Sequence, residues 1–248
     1  MKKIDLNCDM GESLPGDAAN IDHEIMPYIS SCNIACGFHS GSPRIIENTL
    51  RNAIDHNLKI GAHPSYDDRE NFGRISIEIP LPELLSQLRY QICALQGMAE
   101  SLGGRLNHVK PHGALYNDMV KNEELAEAFV VLVKEIDPKL QIYGLAGSQL
   151  STICVDHKMV FVNEGFADRK YDTKTQLRNR KYDGAVLSEE NEILQQIELL
   201  SNGVVELYSG EKVDMSVDTI CLHGDTPGAI RLSKVIYDFI RSKSISIG

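Results

Sequence analysis

The sequence predicts an α/β fold in which seven parallel strands close into a barrel, as one domain over residues 1–248. Three observations predict it. Short apolar runs alternate with longer stretches of helical period, the pattern of a parallel sheet with right-handed crossovers. The first and fourth runs are polar on one face and apolar on the other. Polar residues able to do chemistry gather where the runs end.

Taken in order, the runs predict strands over Lys3–Cys8, Cys32–Phe38, Lys59–His63, Leu106–Pro111, Leu140–Leu145, Met159–Asn163 and Thr219–His223. In the first, Asp5, Asn7 and Asp9 share a face and Ile4, Leu6 and Cys8 share the other. A central strand of an open sheet is apolar on both faces, whereas a strand with one polar face suits a barrel whose lumen holds a site. His108, Lys110 and His112 alternate with Val109 and Pro111 in the same way.

The intervening stretches predict helices. Leu84, Leu88, Ile92, Leu95, Ala99 and Leu102 recur at helical spacing after Pro82, until Gly103-Gly104 ends the run. Leu125, Phe129, Leu132 and Ile136 repeat the pattern before Asp137-Pro138, and Ile193, Ile197 and Leu200 repeat it before Asn202-Gly203. Two further helices fit Pro43–His56 and Ser148–His157. The last is expected to start at Thr226 as N-cap with Pro227 in the first turn. Residues 203–217 alternate apolar and polar around Ser209-Gly210, which predicts a small inserted hairpin.

Composition narrows the function. The net charge of −10, from 25 basic and 35 acidic residues, leaves no basic surface to neutralise nucleic-acid phosphates. A small anionic substrate stays possible if cations gather in a pocket. After Lys2 and Lys3 there is no apolar leader, and no stretch approaches the ~20 apolar residues of a membrane span. No nucleic-acid or membrane partner is expected, and the cytoplasm is the expected compartment. The cysteines at 8, 32, 36, 93, 154 and 221 have no zinc-ribbon spacing and read as reduced, buried thiols.

Six polar clusters lie at strand ends. They carry Asn7, Asp9, Gly11 and Glu12; His39; His63; Lys110 and His112; Glu164, Asp168 and Arg169; and His223 with Asp225. In parallel α/β folds the loops after the strands build the ligand site, so all six converge on one mouth. Each residue has a plainer reading. Asp9 could serve only its own turn, and His39 and His63 could be satisfied core histidines. Lys110 would be costly to bury alone, so its plain reading is an ion pair with Asp5, Asp9 or Glu164.

A metal is an open reading, because Asp9, His39 and His63 would make a two-histidine, one-carboxylate set, although their spacing is not local. No phosphate-binding glycine loop and no Gly-x-Ser-x-Gly elbow occur. Glu164, Asp168 and Asp225 are candidates for acid–base work.

Seven motifs, running in order from about residue 4 to the C-terminus, then point to a family. Asp5-Leu-Asn-Cys-Asp-Met-Gly-Glu12, Asn33-Ile-Ala-Cys-Gly-Phe-His39, Ile60-Gly-Ala-His-Pro-Ser-Tyr66, Phe72-Gly-Arg74, His108-Val-Lys-Pro-His-Gly-Ala-Leu-Tyr-Asn117, Phe166-Ala-Asp-Arg169 and Thr219-Ile-Cys-Leu-His-Gly-Asp225 resemble the LamB/YcsF family. The resemblance implies a barrel of the glycoside hydrolase/deacetylase type. It implies the A-subunit role in an ATP-dependent 5-oxoprolinase, with B and C subunits required and ATP as cofactor; a divalent metal, Mg with the ATP, is an open reading beside it. Where the family usually has Ala-Gly-Asp-Pro, this chain has Ser40-Gly41-Ser42-Pro43.

For such a reaction Asp9, His112 and Glu164 are the acid–base candidates, and Lys110 and Arg169 the charge stabilisers. Asn7, His39, His63, Asp168 and His223 are expected to position substrate. Two other classes stay open: a metal-dependent deacetylase or carbohydrate hydrolase, and a non-catalytic scaffold subunit.

Overall fold

The structure, a computed structural model, describes residues 2–12, 22–224 and 228–248. Seven parallel strands form the barrel: β1 Lys3–Met10, β2 Ser31–Ala35, β3 Lys59–His63, β4 Leu106–Val109, β5 Gln141–Leu145, β6 Val160–Phe166 and β7 Thr219–His223. They neighbour one another in chain order, and β7 returns to pair with β1, closing the ring. In that closing register Asp5 lies opposite Thr219, Asn7 opposite Cys221 and Asp9 opposite His223. A two-residue strand, Ser246–Ile247, adds to β1 outside the ring at Lys3 and Ile4.

The two-residue period of β1 sorts its side chains. Ile4, Leu6, Cys8 and Met10 join the apolar layer between the barrel and its helices, while Asp5, Asn7 and Asp9 are buried on the other face. Helix Leu81–Ser101 buries Leu84, Leu88, Ile92, Leu95 and Ala99, and helix Glu123–Ile136 buries Leu125, Phe129, Val130 and Val133. Each such leucine contributes roughly 1.5–3 kcal/mol on leaving water. Helices Pro43–Asp55, Gln149–Asp156, Glu190–Ser201 and Ala229–Ser242 complete the outer layer. Val204–Glu206 and Lys212–Asp214 form the expected antiparallel hairpin.

Several boundaries differ from the sequence expectation, each for a local reason. β2 stops at Ala35 rather than Phe38, because the chain turns through Gly37 at φ +91°. β4 stops at Val109, since Pro111 has no N–H to continue the ladder, although Lys110 N–H still donates to Ala62 O at 2.9 Å. β6 runs on to Phe166. Helix Gly113–Lys121 is an addition; it is one short element directly behind a glycine, too brief to show a period. Cys93 is exposed, on the outer side of its helix, and not buried as expected. The N-cap reading of Thr226 and Pro227 and the acid–base reading of Asp225 lie outside the described residues.

Ser42 caps helix Pro43–Asp55, its Oγ accepting from Ile45 N–H at 3.4 Å. Gly61 has a different duty: a Cβ there would lie 2.1 Å from His108 Nε2. Its missing side chain leaves the lumen wide enough for the imidazole. Among the described residues no helix is long and apolar enough to cross a membrane.

Candidate active site at the barrel mouth

The lumen is filled in layers. At its floor the Asp5 carboxylate accepts from Ser31 Oγ at 2.5 Å, Thr219 Oγ1 at 2.6 Å and Ser30 Oγ at 2.7 Å, with Lys59 Nζ at 3.3 Å. Burial alone would raise this carboxyl, but the hydroxyl donors and Lys59 outweigh it and hold it below its ordinary value. The ring of His108 stacks on Tyr143 at 3.9 Å.

One layer higher sits Lys110, 98% buried, at the end of β4. Its Nζ lies 2.9 Å from Asp9 Oδ1, 2.8 Å from Glu164 Oε1 and 3.2 Å from Cys221 Sγ. Asn7 and Asn33 fix the two carboxylates. Asn7 Nδ2 donates to Glu164 Oε1 at 3.1 Å, and Asn33 Nδ2 donates to Asp9 Oδ1 at 2.7 Å. Tyr116 Oη donates to Glu164 Oε2 at 2.8 Å. Burial favours neutral forms throughout. For Asp9 it is outweighed by His63 and Lys110, which hold the carboxyl well below its usual range. For Lys110 it is outweighed by Asp9, Cys221 and Glu164, which push the ammonium well above its usual range.

The mouth itself is lined by three histidines and Glu12. His39 stacks face to face on His112 at 3.7 Å between ring centres. His112 Nδ1 lies 3.0 Å from His63 Nε2 and 3.3 Å from Glu12 Oε1. His39 Nε2 lies 3.1 Å from the same Glu12 oxygen, and His63 Nε2 lies 3.4 Å from Asp9 Oδ2. Burial first, and then the neighbouring His112, push His39 down to about 3. Burial likewise lowers His112, against the pull of Glu12. Gly73 brings the following loop over this pair; a Cβ on it would lie 2.9 Å from His39 Cβ.

On the β6–β7 side His223 Nδ1 lies 2.9 Å from Asp168 Oδ1, with its ring stacked on Phe166. His223 reaches Asp9 and Cys221, the three offering ligand atoms within 4.8 Å of one another. Arg169 points elsewhere. Its guanidinium donates to the backbone of Arg178 at 2.6 Å and of Ala185 at 3.4 Å, tying down the loop that follows β6. Burial lowers it to about 10, and the nearby charges of Arg180 and Arg74 act in the same direction.

Asn7, Asp9, His39, His63, Lys110, His112, Glu164 and His223 thus meet in one buried network, with Asp168 behind His223. Asp9, His39 and His63, the set left open for a metal, are not a group whose ligand atoms converge. Among the described residues the groups with converging ligand atoms are Glu12, His63 and His112, and Asp9, Cys221 and His223. The reason is that His39 faces Glu12, not Asp9. Sequence reasoning gave no role to Glu12, Asn33, Tyr116 or Cys221. Asn33 was detectable as a polar residue inside the Cys32–Phe38 run, and the fold sets it beside Asp9 in the β1–β2 register. Tyr116 was not, because its helix carried no period.

Comparison with known proteins bears on this site. The A subunit of 5-oxoprolinase from Bacillus cereus (strain AH187) is 41% identical over 249 residues, covering 100% of this chain and 98% of that protein. Its counterpart from Bacillus mycoides (strain KBAB4) is 40% identical over 249 residues, with the same shares covered. The crystal structure of a lactam utilization protein from Thermus thermophilus superposes with a TM-score of 0.90 at 34% identity, covering 99% of this chain and 98% of that one. A putative cellobiose-phosphate cleavage protein from Enterococcus faecalis V583 shares the fold, with a TM-score of 0.60 at 15% identity, over 100% of this chain and 97% of that one. The LamB/YcsF family model matches residues 4–248, and with full-length relatives at this identity the chain belongs to the LamB/YcsF family.

Proposed function

We propose that this chain is the A subunit of an ATP-dependent 5-oxoprolinase, acting in the cytoplasm with B and C subunits to open the lactam of 5-oxoproline to glutamate. The observation that carries the reading is the Asp9–Lys110–Glu164 cluster, buried at the end of β1, β4 and β6 beneath a mouth lined by histidines. The names of the full-length relatives support the choice of substrate.

A lactam is a stable amide, and its nitrogen is a poor leaving group. Transfer of the γ-phosphoryl of ATP to the lactam oxygen releases ADP and makes the ring carbon electrophilic. Water then adds to that carbon and loses a proton to a base. The ring C–N bond breaks as the nitrogen is protonated, leaving an acyl phosphate, and a second water releases phosphate and glutamate. Asp9, His112 and Glu164 are placed to move these protons, and Lys110 to stabilise the oxyanion. Asn7, His39, His63, Asp168 and His223 position the substrate around them. Arg169 acts through the mouth loop that it ties down.

The test is an omission assay. ATP-dependent glutamate release is expected only when this chain, B and C are mixed, and its absence from the complete mixture would refute the reading. A metal-dependent deacetylase or carbohydrate hydrolase is a second reading, favoured by the grouping of Glu12, His63 and His112. It predicts metal-stimulated hydrolysis without ATP.

A further inference from the structure

The three mouth histidines show where their protons are. His63 Nδ1 lies 2.7 Å from Lys110 O, and His112 Nε2 lies 2.9 Å from Phe72 O. A carbonyl only accepts, so both of these nitrogens carry the N–H. His39 Nδ1 lies 2.9 Å from Ser65 Oγ, whose own hydrogen goes to Tyr66 O at 2.8 Å, so His39 Nδ1 is a donor as well. A neutral imidazole has one N–H. With the imidazoles neutral, the form in which histidine ligates a metal, the inward nitrogens, His63 Nε2, His112 Nδ1 and His39 Nε2, are lone pairs.

All three lone pairs face the Glu12 carboxylate, which is also an acceptor. They stand 3.9, 3.3 and 3.1 Å from Glu12 Oε1, and the first two stand 3.0 Å from each other. Acceptors crowded this closely repel unless a cation lies between them. One shared proton would relieve one contact and leave the others.

We propose that Glu12 Oε1, His63 Nε2 and His112 Nδ1 bind a divalent transition-metal ion at the barrel mouth. Three features fit. Two ligands at about 2.0–2.1 Å from a tetrahedral ion stand about 3.3 Å apart, and the three spacings of 3.0, 3.3 and 3.9 Å bracket that value. Each ligating histidine gives its other N–H to a backbone carbonyl, the support that metal-bound imidazoles carry. Two imidazoles with one carboxylate suit a zinc-like ion better than magnesium or calcium, which prefer oxygen. Asp9 Oδ2, 3.4 Å from His63 Nε2, borders the open position where a water or substrate oxygen would stand. With the ion bound His112 holds it, and the proton transfers proposed above fall to Asp9 and Glu164; in the metal-free chain His112 is free to share them.

The assignment concerns the isolated chain and stands apart from the 5-oxoprolinase reading. The test is calorimetric titration of the chelator-treated chain with Zn²⁺, repeated with Co²⁺ and visible spectroscopy. One equivalent is expected, with no thiolate charge-transfer band. Glu12→Gln and His112→Ala are expected to weaken binding at least tenfold, with far-UV circular dichroism unchanged. Cys221→Ser is expected to leave binding intact, because it belongs to the other group. No saturable binding by the folded wild-type chain would overturn the proposal. So would binding that survives Glu12→Gln and His112→Ala, or that is lost in Cys221→Ser. Should His112→Ala fail to fold, Glu12→Gln and the cobalt spectrum of the wild type decide.

Discussion

Asp9 and Lys110 face each other across the lumen, with Oδ1 and Nζ 2.9 Å apart and both side chains almost wholly out of solvent. Glu164 completes the set from β6, so one ammonium serves two carboxylates. A buried charge stripped of its partner is strongly destabilising, by about 3–5 kcal/mol. Lys110→Met leaves two such carboxylates. It is expected to lower the melting temperature by about 10 °C or more, on the scale of roughly 2–4 °C per kcal/mol for a chain of this size. Adding Glu164→Gln to that variant removes one unpaired charge and is expected to recover part of the loss. Thermal melts of the three proteins check this; an unchanged melt for Lys110→Met would contradict the pairing.

Asp5 makes stability depend on pH at the acid end. Its folded pKa lies below the ordinary value, so its contribution is present above the unfolded-state pKa of about 3.9 and is lost as pH falls through the folded value. Asp5→Asn is expected to destabilise the chain at neutral pH, with the difference from wild type narrowing as pH falls below about 4. Denaturant melts at several pH values measure it. A difference independent of pH would show that the carboxylate's charge is immaterial there.

Gly61→Ala tests the packing of the lumen. The added Cβ would meet the His108 ring at 2.1 Å, in the middle of a barrel strand with no room to yield. Overpacking of this kind typically costs about 1–3 kcal/mol. A lowered melting temperature is expected, and a neutral substitution would mean that the ring has another place to go.

Much of this fold was legible because the barrel obeys the period of two. The polar face of β1, with Asp5, Asn7 and Asp9, identified the lumen, and β3 and β7 end where the runs end. What periodicity could not supply was pairing across the lumen. It offered Asp5, Asp9 and Glu164 as partners for Lys110; the closed ring gives it the last two and leaves Asp5 to Lys59. Glu12 lies beyond the end of β1, past Gly11 at φ +71°, so no strand period places it among the histidines. Arg169 was legible as a cation at the mouth, but its turn toward Arg178 O and Ala185 O depends on a loop without period.

If this chain supplies reacting groups and is not only a scaffold, Asp9→Asn must show it in the enzyme assembled with B and C. Asparagine is nearly isosteric, and Glu164 still pairs with Lys110. Assembly, followed by gel filtration, should therefore be unaffected. ATP-dependent glutamate formation is expected to fall by roughly 10²–10⁴, the range for loss of a positioned acid–base group. A complex that assembles normally and turns over 5-oxoproline at close to the wild-type rate would contradict the account and place the chemistry elsewhere in the assembly.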